Sequence, residues 1–232
     1  MTDLYSSKKI ALLISMKGEY MVSSALNFFD GILYINLERR KDRKKNMEKE
    51  LKKLALNPDK IFRIEGYYDE LNGSRGCVYS HIQALDFALA KEWKTVLILE
   101  DDCIFIKDQT AINSYINNFF SHFKSAWDVF FLGTKINTFE ETDCTGYVQI
   151  HNSLRAHAYA VNGSYMCKLR DHFFNTYHSM QYDLFFISSL EKALDRQWRI
   201  LQKMDRWFAG TSMIAQQKKS FSDIEKTIKS QR

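Results

Sequence analysis

The sequence predicts a single α/β domain built on a mostly parallel central sheet flanked by helices. The first observation is an alternation of strand-like apolar runs with helix-like segments, in the order β, α, β, α, β, α, β. The second is size, since 232 residues of which 45% are hydrophobic can bury one substantial core. The third is the lack of an internal repeat, a proline-rich linker or a low-complexity tract at which the chain could be divided.

The first half of the chain supplies two strands and a basic helix. The run GILYINL predicts a buried strand that ends near Asn36. The segment RRKDRKKNMEKELKK follows it and predicts a helix, because Met47, Leu51 and Leu54 recur at helical spacing. The dipeptide NP closes this helix, and KIFRIEG predicts the next strand.

The later elements follow from similar patterns. GSRG is predicted to be a loop, and CVYSHIQALDFALAKEW a helix with Cys77 and His81 on its apolar face. TVLILEDD predicts a strand, TAINSYINNFFSHF a helix and WDVFFLG a further strand. Asp128 starts this last strand rather than ending it, which predicts a structural role at the opposite edge of the sheet.

Composition excludes several classes of protein. No apolar run approaches the length of a membrane span, and the N-terminal segment does not read as a signal peptide, so we expect a cytoplasmic protein, or one peripheral to a membrane. The cysteines are widely spaced without a CxxC pair, which predicts reduced thiols. Cys77 and His81 are four residues apart, but a zinc site there would lack further ligands.

Three consecutive carboxylates end the strand TVLILE. Ligands of open α/β sheets bind outside the carboxyl ends of the strands, where Glu100, Asp101 and Asp102 are expected. Three such groups repel one another, and a divalent cation would turn that repulsion into attraction. Oxygen ligands of this kind suit Mn²⁺ or Mg²⁺. The alternative is a strand that simply leaves the sheet through an acidic turn.

The basic segment after the first strand also allows two interpretations. With 33 basic and 28 acidic residues the net charge is a mild +5, so the lysines are predicted to form a solvated helix face. A nucleic-acid surface is the alternative, but aromatic platforms are missing from the helix. We therefore predict no nucleic-acid partner.

Six segments together resemble glycosyltransferase family 25, the group that includes bacterial lipopolysaccharide galactosyltransferases and procollagen galactosyltransferases. INLERRKDR follows the first strand, GCVYSH opens a helix, and LEDDCIF follows the next strand. WDVFFLG, HAYAVNGSYMCKL and QQKKSFSDIE continue the resemblance toward the C-terminus. We predict residues 31–232 to be the family 25-like domain, and residues 1–30 to be an extension packed on or near it that could also mediate homodimer contacts.

The resemblance implies a GT-A type fold and transfer with inversion. The donor would be a nucleotide-diphosphate sugar, with UDP and with galactose or glucose favoured. The cofactor would be Mn²⁺, or Mg²⁺, held by the carboxylate motif. The acceptor would be a hydroxyl of a glycan or of a hydroxylysine-type protein side chain. Ser164, Tyr165 and Met166 stand where small residues are common in the family, which predicts a bulkier wall of the sugar pocket and leaves the donor sugar open.

Site residues are carried over position by position. The general base is predicted at Asp183, although Tyr182 stands where the family has proline or valine before this aspartate; Asp223 is the next candidate. Asp102 is the first metal ligand, and Glu100 and Asp101 share metal and ribose contacts. The residues predicted to meet the donor are Asn36, Arg39, Asp42, Arg43, Gly76, Ser80, His81, Ser222 and Asp223. His81 could instead be a core histidine.

Two other functional classes stay open at this stage. Clustered carboxylates at strand ends with a basic helix would also suit a metal-dependent phosphodiester enzyme acting on nucleic acid. A catalytically inactive protein of the same fold could bind a sugar nucleotide without turning it over. The intact EDD motif favours an active transferase over the inactive protein, and the late segments HAYAVNG and SDIE favour it over a nuclease.

Overall fold

The computed structural model describes residues 23–180 and 191–218. Over these residues the chain forms one α/β domain, with a six-stranded central sheet that carries helices on both faces and a separate two-stranded sheet. The predicted fold class, a mostly parallel sheet flanked by helices, is confirmed.

One strand of the central sheet runs against the other five. The strands of the described residues are β1 (Gly31–Asn36), β2 (Ile61–Glu65), β3 (Thr95–Glu100), β4 (Cys103–Phe105), β5 (Val129–Glu141), β6 (Tyr147–Asn162), β7 (Trp207–Gly210) and β8 (Ala215–Gln217). The central sheet has the order β2-β1-β3-β6-β5-β7, and β4 pairs with β8. Strand β1 is parallel to β2 and β3, whereas β6 is antiparallel to β3, β5 and β7. The carboxyl ends of β1, β2 and β3 therefore meet at one edge.

Four longer helices and several single turns connect the strands. They are α1 (Lys41–Lys52), α2 (Gly73–Ala90), α3 (Gln109–Phe123), α4 (Gly163–Ser179), α5 (Leu194–Gln197) and α6 (Arg199–Gln202), with 3-10 turns at Ala25–Phe28 and Pro58–Lys60. Helices α2, α3 and α4 begin at a side-chain cap, because Asn72, Asp108 and Asn162 accept hydrogen bonds from backbone amides of the first turn.

The sheet separates two layers of core. Along β3, Val96 and Ile98 face the layer of α2 and α4, while Leu97 and Leu99 face the layer of α1 and α3. This alternation is the period-two pattern of a strand buried on both faces. Each fully buried aliphatic or aromatic side chain contributes about 1.5–3 kcal/mol relative to exposure. The residues before β1 join the second layer through Leu26 and Phe29, which are buried.

Most predicted elements form where the patterns place them, but one differs in type and one is longer than predicted. GSRG is the first turn of α2 rather than a loop, because the Asn72 side chain accepts a hydrogen bond from the Arg75 amide and starts the helix at Gly73. Strand β5 continues well beyond WDVFFLG, to Glu141, because β6 pairs with its extension. Strands β4, β6, β7 and β8 and helices α4, α5 and α6 were not predicted.

Asp128 has the structural role that its position predicts. It precedes β5, and its carboxylate accepts hydrogen bonds from the Arg206 guanidinium at 2.7 Å and the Arg206 backbone amide at 2.9 Å. These bonds tie the start of β5 to the residue before β7. In the described part of the chain no helix is long and apolar enough to cross a membrane.

Gly133 lets β8 approach the central sheet. A Cβ atom at this position would lie 2.0 Å from the Ala215 carbonyl oxygen and 2.5 Å from Nε2 of the buried His157. Backbone and a packed ring cannot both move away at low cost. Gly133 therefore fixes how closely β8 lies against β5.

We expect Gly133→Ala to lower the free energy of unfolding by about 3 kcal/mol, the upper part of the range for overpacked cores, because β8 must shift. Gly146→Ala is the control: an added Cβ there meets nothing within 4 Å, but φ is +91°, so only backbone strain of about 1 kcal/mol is expected. Urea unfolding of both variants checks this. A loss for Gly133→Ala no larger than that for Gly146→Ala would contradict it.

Candidate functional site

A pocket of about 200 Å³ opens at the carboxyl ends of β1, β2 and β3. Its walls come from the segment after β2, the first turns of α2, the end of β3, the middle of β6, the start of α5 and the end of β8. The polar residues that line it are Arg43, Tyr67, Tyr68, Asp69, Ser74, Cys77, Ser80, His81, Glu100, Asp101, Asp102, Arg155, Asp195 and Gln217. The three predicted carboxylates therefore reach one pocket.

Asp101 is the central carboxylate, and both of its oxygens accept hydrogen bonds. Asn36 at the end of β1 donates to Oδ2 at 2.7 Å, and Arg43 of α1 donates to Oδ1 at 2.8 Å. Burial raises the pKa of Asp101 above its ordinary value, and the Arg43 charge and the Asn36 hydrogen bond oppose that rise. Through these contacts Asp101 holds the end of β1, the end of β3 and helix α1 together.

Glu100 and Asp102 lie on either side of Asp101 and have different neighbours. The Glu100 carboxylate accepts a hydrogen bond from Gln217 at 3.2 Å and lies 3.5 Å from His81 Nε2. Asp102 lies 3.6 Å from the Arg43 guanidinium. The Arg43 charge thus offsets part of the repulsion expected among the three carboxylates. Only the repulsion between Glu100 and Asp102 is left for a bound cation to offset.

His81 combines the two predicted alternatives. Only 1% of it is exposed, and Nδ1 forms a hydrogen bond with the Tyr159 hydroxyl at 2.7 Å, as expected of a core histidine. Its other ring nitrogen nevertheless faces Glu100 in the pocket. The ligand atoms of Cys77, His81 and Glu100 all lie within 4.8 Å of one another, so Glu100 supplies the third group that the sequence could not assign.

The two predicted residues in the first turns of α2 are engaged by the protein. The Gly76 amide donates to the Asn72 carbonyl, so it is not one of the free amides expected when the helix was predicted to begin there. Gly76 is instead needed for close packing, since a Cβ would lie 2.7 Å from the Tyr67 carbonyl oxygen. The Ser80 hydroxyl donates to the Gly76 carbonyl and accepts from the Tyr67 amide.

The predicted residues around β1 spread over several surroundings. Asn36 is buried beneath the pocket, and Arg63 of β2 donates to its Oδ1 at 3.2 Å. Arg39 lies over the ring of Tyr68, which lines the pocket, at 3.6 Å from the ring centroid. A hydrogen bond from Arg40 lowers the pKa of the exposed Asp42 to about 2. Of these predicted residues, only Arg43 lines the pocket directly.

Several residues of the pocket were not predicted as site residues, namely Tyr67, Tyr68, Asp69, Ser74, Arg155, Asp195 and Gln217. Arg155 adopts a positive φ of 77°, in an irregular part of the β5–β6 pairing, and its backbone amide donates to Asp195 at 2.8 Å. Such conformations are costly for residues other than glycine and cluster at functional sites. Gln217 arrives from β8 and belongs to the segment QQKKSFSDIE that carries the resemblance, whereas no local sequence signal indicates Arg155. Tyr165 and Met166 pack into the core layer of α4 rather than into the pocket wall, which corrects that prediction.

Asp183, Ser222 and Asp223 lie outside the described residues, so their roles stay predictions.

The first turn of α2 adds a polar group to the pocket. Ser74 is 3% exposed, and within the described residues its hydroxyl oxygen has no hydrogen-bond partner. The amides at the start of a long helix attract anions. Arg43 and Arg155 line the same pocket and bring two cationic side chains to it. The pocket therefore combines carboxylates that suit a cation with groups that suit an anion.

Asp69 fixes the loop between β2 and α2 beside this pocket. Its Oδ1 accepts hydrogen bonds from the backbone amides of Leu71 and Asn72, and its Oδ2 accepts one from Arg75 Nε. Burial alone would raise the pKa of Asp69, but the hydrogen bonds and charge of Arg75, with the two amides, lower it below its ordinary value.

No protein-family model and no curated protein sequence matches this chain. Among solved structures, the chain is similar to a mannose-1-phosphate geranyltransferase from Thermus thermophilus, at 13% identity and a TM-score of 0.46 over 78% of this chain and 72% of that one. It is also similar to a glycosyltransferase involved in the glycosylation of the major capsid of PBCV-1, at 8% identity and a TM-score of 0.43, over 78% of this chain and 91% of that one.

A third similar structure is a UDP-glucose pyrophosphorylase without ligand, at 10% identity and a TM-score of 0.42, over 78% of this chain and 72% of that one. Identities and TM-scores in this range do not show which substrate a protein binds or which reaction it catalyses.

We expect Asp69→Asn to lower the free energy of unfolding at pH 7 by about 1–3 kcal/mol, because an amide nitrogen then faces the Arg75 donor. Since the pKa of Asp69 is lowered in the folded protein, its contribution is present above the ordinary carboxyl pKa of about 4 and is lost as pH falls through the folded value. The difference from wild type should therefore shrink at low pH.

Urea unfolding at several pH values measures that difference. Asp171→Asn is the matched control, because Asp171 is 63% exposed and its ion pair with Arg170 lies at the surface; a change below about 0.5 kcal/mol is expected there. A difference for Asp69→Asn that stays constant from pH 7 to pH 3 would contradict the assignment.

Proposed function

We propose that the protein is a glycosyltransferase that moves a sugar from a nucleotide-diphosphate donor to a hydroxyl group of an acceptor. The observation that carries this proposal is the pairing of opposite charges in one pocket. Glu100 and Asp102 line it together with Arg43 and Arg155. A donor diphosphate with a divalent cation needs both kinds of group, since carboxylates hold the cation and guanidinium groups hold phosphate oxygens.

The anion-binding part of the pocket would receive the diphosphate. The Ser74 hydroxyl is buried and has no hydrogen-bond partner among the described residues, so a ligand oxygen would satisfy it. The N-terminal end of the α2 dipole lies beside it and favours the same charge, although Asn72 engages the Arg75 and Gly76 amides. Tyr67 and Tyr68 line the pocket near this helix, and Arg39 stacks on Tyr68. These rings offer a surface on which a nucleobase could stack.

Mn²⁺ or Mg²⁺ fits the remaining oxygen donors. Asp102 would be the first protein ligand of the ion, because it lines the pocket and both oxygens of Asp101 accept hydrogen bonds; the donor phosphates would supply further oxygen ligands. Such an ion supplies Lewis acidity to the departing diphosphate. Arg43 lies beside Asp101 and Asp102 and limits their mutual repulsion, and Gln217 orients Glu100 by its hydrogen bond.

The finer assignments extend the resemblance to family 25. We propose Asp183 as the general base that takes the acceptor proton, with Asp223 as the next candidate and Ser222 beside it. UDP-galactose or UDP-glucose is the favoured donor, and a glycan or hydroxylysine-type hydroxyl is the acceptor. These assignments rest on the sequence motifs, since the three residues lie outside the described part of the chain.

The pocket favours a small donor over a nucleic-acid strand. None of the lysines of α1 belongs to its lining, where the cationic groups are Arg43 and Arg155. Lys45 and Lys52 are exposed on α1, as the solvated-face interpretation of the basic segment requires. A nucleic-acid backbone would need a continuous cationic track leading into the site.

We expect UDP with Mn²⁺ to raise the melting temperature of the wild-type protein, and Asp102→Ala to remove most of that rise. Ligand at about 100 times its Kd stabilises the folded state by roughly 2.7 kcal/mol, which a thermal-shift assay detects. Lys45→Gln combined with Lys52→Gln is the control, and it should keep the full rise. An equal rise of the melting temperature in Asp102→Ala and wild type would show that Asp102 is not a ligand of the ion.

A screen of nucleotide sugars for Mn²⁺-dependent hydrolysis then identifies the donor. No turnover or stabilisation with any nucleotide sugar, in a protein whose circular dichroism shows a folded state, would overturn the proposed function.

We expect Asp183→Asn to lower sugar transfer by about 10²–10⁴, because the amide keeps the shape of the side chain and loses the proton acceptor. Donor affinity should stay near the wild-type value, in contrast to Asp102→Ala, which should weaken both binding and turnover. Transfer rate, donor Kd and melting temperature are measured on the same preparation. Transfer retained within tenfold would exclude Asp183 as the base and favour Asp223.

A further inference from the structure

Cys77, His81 and Glu100 form a compact group of potential metal ligands in the pocket. Their thiol, imidazole and carboxylate ligand atoms all lie within 4.8 Å of one another, and within residues 23–180 and 191–218 no other group of three His, Cys, Asp or Glu residues qualifies as a metal site. All three residues line the pocket. The trio Glu100, Asp101 and Asp102 does not converge in this way.

We propose that Cys77, His81 and Glu100 bind a Zn²⁺-class ion whose remaining coordination position opens into the pocket. A thiolate and an imidazole select a borderline-soft ion over Mn²⁺ or Mg²⁺. Three protein ligands with one open position are typical of zinc sites that bind an exchangeable ligand. This proposal does not rest on the proposed transfer reaction, since it follows from the ligand set alone.

The distances fit coordination better than a direct hydrogen bond. His81 Nε2 and the nearest Glu100 oxygen are 3.5 Å apart. A hydrogen bond between them would be about 2.7–3.2 Å long. Two ligand atoms on a tetrahedral ion with bonds of about 2.0–2.1 Å lie about 3.3–3.4 Å apart. A small closure of the thiol toward this pair would complete the site.

Rigid elements hold the three ligands. Cys77 and His81 are four residues apart on α2, which places their side chains on the same face of the helix. Glu100 ends β3, which lies between β1 and β6 inside the central sheet. Helix α2 packs on the sheet through Val78, Ile82 and Leu85, which are buried. The ligand spacing is therefore set by the core rather than by a loop.

Tyr159 holds the second ring nitrogen of His81, in the place where metal-bound histidines usually have a carboxylate, a carbonyl or a water. Its hydroxyl lies 2.7 Å from His81 Nδ1, so it fixes the ring and leaves Nε2 facing Glu100 and the pocket. The hydroxyl can donate to Nδ1 or accept from it. In the second arrangement Nδ1 carries the proton, and the Nε2 lone pair is available to an ion.

The test is a titration of metal-free protein with Co²⁺, an ion of similar preference whose bond to a thiolate absorbs in the near ultraviolet. Wild type should develop this thiolate-to-cobalt band and lose it when Zn²⁺ is added. Cys77→Ser should lack the band, and the matched control Cys167→Ser should keep it, because Cys167 is exposed on α4. The proposal fails if wild type shows no band or if Cys77→Ser retains it.

Two further variants keep the thiol and test the other ligands. His81→Gln should weaken Co²⁺ binding at least tenfold, and Tyr159→Phe should weaken it about 10–100-fold through the lost partner of the ring. His122→Gln is the control, since His122 lies on the exposed side of α3. A folded His81→Gln protein that titrates like wild type would overturn the site.

Wild-type protein also gives an answer without any substitution. Zn²⁺ should slow alkylation of Cys77 by iodoacetamide, measured peptide by peptide by mass spectrometry, and should leave Cys167 unaffected. Equal alkylation of Cys77 with and without Zn²⁺ would exclude the thiol as a ligand.

Discussion

The buried carboxylate of Asp101 is the interaction on which the arrangement of the site depends. It joins the end of β3 to the end of β1 through Asn36, and to helix α1 through Arg43. Arg63 extends the network to β2 by its hydrogen bond to Asn36. A buried carboxylate without such partners would cost several kcal/mol, so the three strand ends and the helix hold one another in a single geometry.

Because of this network, the outer two carboxylates of the EDD motif, Glu100 and Asp102, face different parts of the protein. With Asp101 engaged, the Glu100 carboxylate faces α2 and β8, whereas the Asp102 carboxylate lies beside Arg43 of α1. The backbone carbonyl of Asp102 accepts a hydrogen bond from the Lys218 amide. Three adjacent carboxylates thus have three different environments. One holds the framework, one is close to a thiol and an imidazole, and one is paired with a guanidinium. Neighbouring residues of identical charge can therefore serve different ligands.

The sequence predicted the local elements and the convergence of the strand ends, because both follow from patterns that are local in the chain. Apolar periodicity located β1, β2, β3 and the helices between them, and topology then brought Glu100 to Asp102 to one edge. The sequence could not predict the hydrogen bond between Asp101 and Asn36, since this contact depends on the parallel register of β1 and β3.

Other parts of the site depend on tertiary contacts or on backbone conformation. Glu100 joins Cys77 and His81 only after α2 has packed on the sheet, so the sequence offered two of the three ligands and no third. Arg155 has a positive φ that no arginine favours, and its contact with Asp195 comes from a segment 40 residues later. The start of α2 was misplaced because the Asn72 cap competes with the loop tendency of a glycine-rich stretch.

The pairing of β4 with β8 has a consequence for the order in which the site is assembled during translation. Gln217 binds Glu100 across 117 residues of sequence, and β8 closes the pocket beside the carboxylates. The ribosome synthesises the EDD motif long before it synthesises β8, the strand that lies beside these carboxylates. Strand β8 can add its hydrogen bond to Glu100 only after those 117 residues have been synthesised, so this side of the pocket is completed late in folding.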